Sequence, residues 1–149
     1  MSLPSDIRVV GAALHFLPVR TRVPLKFGPE TTTSVTVARV RVRVRDAAGR
    51  TADGWGETPL SVQWVWPSAL HYEARHAALR RFTTRLAAAW AGFEAAGHPL
   101  EVGMDFQRTR LPALLREFQA EPSAAGEPMP WLRSEEHTSE LQSPYVISY

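Results

Sequence analysis

Strands first and helices after is the order this sequence predicts, an α+β fold, and three observations carry it. Residues 31–46 alternate valine with arginine, residues 46–50 have hairpin-turn composition, and residues 68–91 carry apolar side chains at helical spacing. Strands that precede helices, rather than alternating with them, form segregated layers and not a parallel sheet. The 149 residues suffice for one domain with a modest core, but a (β/α)8 barrel needs roughly 250.

Residues 7–17 are β-branched and apolar and read as a first strand that Pro18 ends. Residues 19–30 hold two prolines and a glycine and read as a long loop. Loops of about 12 residues or more inside a compact domain tend to carry function. In residues 31–46, Val35 and Val37 share one phase while Val40, Val42 and Val44 take the other. Period-two alternation sends valines to one face and Arg39, Arg41, Arg43 and Arg45 to the opposite one. The slip at Ala38 and Arg39 predicts a β-bulge or a change in which face is covered. Gly49 should supply the positive φ of the following turn, and residues 51–58 return as a third strand. Gly54 and Gly56 around Trp55 predict a close approach there. These elements make a three-stranded antiparallel meander.

Residues 59–67, Pro-Leu-Ser-Val-Gln-Trp-Val-Trp-Pro, form a second loop rich in large apolar side chains. Ser68 is placed to cap a helix over 68–91, in which Leu79, Phe82, Leu86 and Trp90 form one stripe,. Arg75, Arg80, Arg81 and Arg85 read as lying mostly off it. Gly92 and Gly97 interrupt the helix, and Pro99 suits the first turn of the next. Residues 111–118 are helical, 121–130 are a loop, and Met129-Pro-Trp-Leu132 starts a further helix, completing a helical bundle.

Composition removes several function classes. The chain has no cysteine, so disulfides and thiolate metal sites are absent,. Met1 to Asp6 lacks the basic start and apolar run of a secretory leader, and the expected location is cytoplasmic,. No run approaches the ~18 apolar residues of a membrane span. Before residue 133 there are sixteen basic and twelve acidic residues, a balance of +4. Such a mild charge, with no aromatic residue among the four arginines, argues against a nucleic-acid partner. His71 and His76 are five apart and share no helix face, and no H-E-x-x-H occurs, so no metal site is expected in this chain,. Asp53 and Glu57 fall on one side of a strand; an acid/base pair is conceivable, but a structural pairing with arginine fits better. No catalytic residue is assigned.

Residues 133–149 differ from the rest. All twenty alanines lie at or before Ala125. Arg133 to Ser143 resembles the translation of a common short-read sequencing adapter over eleven consecutive codons, and Ile147-Ser148-Tyr149 resembles its continuation. The segment reads as a non-native, disordered tail, and residues 1–132 as one domain truncated at its C-terminal end.

The order of pieces resembles the N-terminal capping domain of the enolase superfamily, mandelate racemase/muconate-lactonizing-enzyme group. The pieces are Leu17-Pro-Val-Arg-Thr-Arg-Val-Pro-Leu-Lys-Phe-Gly28, the Val/Arg strand, Gly54-Trp-Gly-Glu-Thr-Pro59, residues 73–90, His98-Pro-Leu-Glu-Val-Gly103 and Met129-Pro-Trp-Leu132. The likeness covers residues 7–132. It implies a catalytic (β/α)8 barrel, missing here, that binds Mg²⁺ and abstracts the proton α to a small carboxylate substrate. It also implies a homo-oligomer when complete, and no cofactor held by this chain itself. The cap's share would be substrate selection, through residues 20–32 and 59–67. By position Lys26, Phe27, Val62, Gln63 and Trp64 would face the pocket. A second reading is a stand-alone interaction module using the arginine row and the Trp-rich loop.

Overall fold

The computed structural model describes residues 3–27, 30–121 and 129. The tail at 133–149 and the helix start at 130–132 lie outside them. Four antiparallel strands form one sheet: β1 (Ile7–Phe27), β2 (Glu30–Asp46), β3 (Thr51–Pro59) and β4 (Ala96–Gly97), in the order β3-β2-β1-β4. The helices are α1 (Val62–Val65), α2 (Tyr72–Ala91), α3 (Pro99–Asp105) and α4 (Leu111–Gln119), with a π turn (Phe106–Arg110) between the last two. The architecture is α+β, and the expected meander gains a two-residue fourth strand.

The sheet's inner face is set by two register events. Val9 pairs with Val44 but Gly11 pairs with Arg43, so Val10 is an extra residue, a bulge in β1. The bulge changes the phase of β1. Ile7 and Val9 before it, and Ala12 and Leu14 after it, consequently share the face that packs on the core. No shift occurs at Ala38 and Arg39. The slip in β2 is instead a change of face: Ala38 and Val40 are buried on the inner side, while Val35 and Val37 lie opposite Val19 and Leu17 on the outer side.

The expectation that β1 ends at Pro18 and gives way to a loop is corrected. β1 and β2 continue as a two-stranded ribbon to the pair Phe27 and Glu30. Pro18 is tolerated because only Ile7 and Arg8 of β1 pair on the far side, which leaves the strand an edge where a missing N–H costs nothing,. Pro24 falls among four residues, 21–24, that lie between the pairs Arg20–Ser34 and Leu25–Thr32, opposite Thr33 alone. The turn at 46–50 is as expected: Gly49 has φ +83°, its N–H donates to the Asp46 carbonyl at 3.0 Å, and the Asp46 carboxylate binds Arg50.

Ser68 does not cap α2. Its hydroxyl accepts from Leu70 N at 3.0 Å in a turn ahead of the helix, which begins only at Tyr72. The stripe behaves as expected, with Leu79, Phe82 and Leu86 fully buried and Trp90 nearly so. Trp90 stacks on Phe106 with ring centroids 4.0 Å apart, and Phe82 meets Phe118 edge-on at 5.3 Å. His98 caps α3 through Leu100 N, ahead of Pro99 at the first turn. Pro112 lacks an N–H and would crowd the carbonyl four residues back, and the π turn falls at that place,. Gln119 donates to the Met129 carbonyl, and Met129 is buried in the core.

Candidate functional site

The two segments expected to select substrate meet at one end of the sheet. Leu60 N donates to Thr36 O at 2.8 Å, which fastens the start of the 59–67 segment to β2 at the base of the ribbon. Thr36 is paired with Pro18, the residue where β1 leaves the body. His76, on the second turn of α2, shares a 3.1 Å hydrogen bond with the Thr36 hydroxyl and stacks on Tyr72. Ribbon, segment and helix start are thus joined through one threonine. Burial, reinforced by the charge of Arg80 and opposed by Glu73, holds the His76 imidazole below its usual pKa.

The segment itself is half core and half surface. Pro59 and Pro67 bracket it, and one helical turn, α1, is closed by Val65 N to Ser61 O and Trp66 N to Val62 O at 2.9 and 2.8 Å. A turn this short directs successive side chains to different sides. Leu60, Val62, Val65 and Trp66 enter the core, Gln63 is half-buried, and Trp64 is 65% exposed. Val62, expected toward the pocket, therefore serves packing. The two tryptophans have opposite roles, Trp66 under the domain and Trp64 outside it.

Lys26 lies at the far end of the ribbon, exposed and paired with Thr31. Thr31 is five residues along β2 from Thr36, about 17 Å of extended strand. The backbone of Phe27 pairs with Glu30 beyond it. The structure accordingly gathers Gln63 and Trp64 at the ribbon base and leaves Lys26 and Phe27 at its tip. Between them Val19, Val23 and Leu25 are 40%, 63% and 44% exposed.

The arginine row is not an open cationic strip. Arg43 makes two hydrogen bonds to Asp53, at 2.7 and 2.9 Å, and Arg39 binds Glu57 at 2.7 Å. Arg41 reaches Asp53 at 3.9 Å. The hydrogen bonds from Arg43 hold the Asp53 carboxyl below its usual range against partial desolvation, with the fields of Arg43 and Arg41 adding to them. Trp55 stands on the same face, 43% exposed, with the His15 ring 6.3 Å away. Asp53 and Glu57 do share a side, as their spacing required, and the arginines opposite them fill the structural role.

Arg75 is the residue that sequence reasoning missed. It is 6% exposed on the buried stripe of α2, one turn ahead of Leu79, and its Nη1 donates to the carbonyl of Trp66. The signal was available: positions 75, 79, 82 and 86 follow the same helical spacing,.

Among the described residues no group of three or more His, Asp or Glu is placed to hold a metal ion. None of their helices is long and apolar enough to cross a membrane. No family model matches the sequence, and no curated protein matches it.

Proposed function

We propose that this chain is the substrate-selecting cap of a Mg²⁺-dependent enolase-superfamily enzyme, a racemase, cycloisomerase or sugar-acid dehydratase. The observation that carries the reading is the paired exposure at one end of the sheet. The ribbon shows Val19, Val23 and Leu25 to solvent, Val19 and Leu25 on opposite faces, and the segment fastened to its base shows Trp64. A two-stranded ribbon is marginally stable in water by itself, and a partner covering these apolar side chains would stabilise it. A barrel mouth beneath the ribbon and the segment would cover it, with a small carboxylate enclosed between them. In that arrangement Gln63 and Trp64 line the pocket near the ribbon base, and Lys26 closes over it from the tip.

In this reading the metal chemistry belongs to the barrel and not to this chain. The stand-alone module loses half its basis, because Arg39 and Arg43 are already matched to Glu57 and Asp53.

The test is the solution behaviour of residues 1–132 alone. An uncovered cap should self-associate in light scattering, and Val23→Ser with Trp64→Ser should suppress the association. A monodisperse monomer with a sharp, cooperative melt would contradict the proposal.

A further inference from the structure

Arg75 is anomalous among the buried residues. It occupies a position on the α2 stripe that an apolar side chain would fill, yet it brings a full charge into the interior. Among the described residues its Nε has no hydrogen-bond partner, and no carboxylate lies within 4.0 Å of the guanidinium. A buried charge without a counter-ion is expensive. Packing does not account for its presence.

Its one side-chain hydrogen bond among the described residues does. α1 is one turn long, too short to hold itself by its own hydrogen bonds, and has no basic residue in its last turn,. Trp66 is its C-cap, buried, and its carbonyl lies past the last hydrogen bond of the turn,. The Arg75 guanidinium supplies the donor there, and a charged donor makes the stronger class of hydrogen bond,. The bond lies two residues after the exposed Trp64 and three after Gln63.

We infer that Arg75 is a positioning residue: its bond to the Trp66 carbonyl locks the α1 turn and so fixes where Gln63 and Trp64 are presented. The inference rests on the proposed function for what the segment selects, but not for the geometry of the lock. Leu60 to Thr36 holds the segment at its start, and Arg75 holds it at its end. A guanidinium fits this position because its planar fork carries several donors in a fixed geometry.

The test is amide hydrogen exchange on the full chain, read by peptides covering 60–67 and 79–90, together with thermal unfolding. Arg75→Met keeps an unbranched apolar stem as far as the position of Nε but removes the donor. Exchange in 60–67 should rise at least about tenfold, the scale of a lost charge-assisted hydrogen bond. Exchange in 79–90 should be unchanged, and the unfolding midpoint should hold or rise because a buried charge is gone. Arg75→Lys should restore part of the protection in 60–67, since an ammonium still donates to a carbonyl. Unchanged exchange in 60–67 would overturn the inference. So would an equal rise in both peptides with a lower midpoint, the mark of an ordinary packing residue. If Arg75→Met fails to fold, Arg75→Lys decides: loss confined to 60–67 supports the lock, and loss spread over both peptides refutes it. A catalytic barrel found beyond Leu132 alongside an idle Arg75 would remove the lock and spare the cap; the reverse result would do the opposite.

Discussion

The two halves of β2 meet different fates. From Ala38 to Arg45 the strand is paired on both sides, by β1 and β3, and covered on one face by α2. From Glu30 to Thr36 it has β1 alone, with four residues of β1 set against one of β2 near the tip. Valine stabilises a strand when its face is covered, as at Val40, and exposes apolar surface when it is not, as at Val19 and Val23,. The first half is specified by this chain. The second half belongs to a ribbon that leaves apolar side chains uncovered.

The largest effect should come from the covered half. Phe82→Ala removes a fully buried ring packed on Phe118, and should cost about 3–5 kcal/mol in urea unfolding,. Leu25→Ala in the ribbon should change stability by less than about 0.5 kcal/mol in the same assay. A large loss at Leu25 would break the contrast and show that the ribbon is part of the folding unit.

An intermediate effect is expected where the halves join. The folded chain holds His76 below the ordinary imidazole value of 6.5, so the unfolded chain binds its proton first as the pH falls,. The contribution is complete above that value and is lost as the pH drops toward the folded-state value. The thermal midpoint should therefore decline below about pH 6.5, and His76→Gln should flatten that decline. Asp53 is held below its usual 3.8, so its contribution is lost only below that value, in a separate window. An identical pH profile for His76→Gln would remove the histidine from the junction.

The smallest effect belongs to the outer face. Arg43→Ala breaks an exposed pair with Asp53, and should lower the midpoint only slightly at low salt and not measurably at about 1 M salt,. A substantial, salt-independent loss would mean that the ion-pair row is buried against a partner.

Most of the covered half was legible in the sequence. The Val/Arg alternation, Gly49, the stripe at 79, 82, 86 and 90, and Pro99 each specify local geometry by a rule of period or conformation. The phase change in β1 was equally visible, since Ile7 and Val9 are odd and Ala12, Leu14 and Phe16 even, but the contrast in β2 was louder. The ribbon was misread because prolines signal a loop unless the strand is an edge, and being an edge is a property of the sheet. Ser68 failed as a cap because a serine can close its own turn before the helix begins. Arg75 was counted with the surface by its charge, although its spacing placed it inside. Val62 and Trp64 could not be separated, because a single turn of helix has no period to read.

In the proposed function, the ribbon and Trp64 cover a catalytic barrel encoded downstream. Sequencing adapter-free source DNA with long reads across the codon for Leu132 tests it most directly. The expected result is a reading frame that continues into eight strand-helix units with acidic residues at strand ends. The same seventeen residues, 133–149, following Leu132 in that DNA would contradict it.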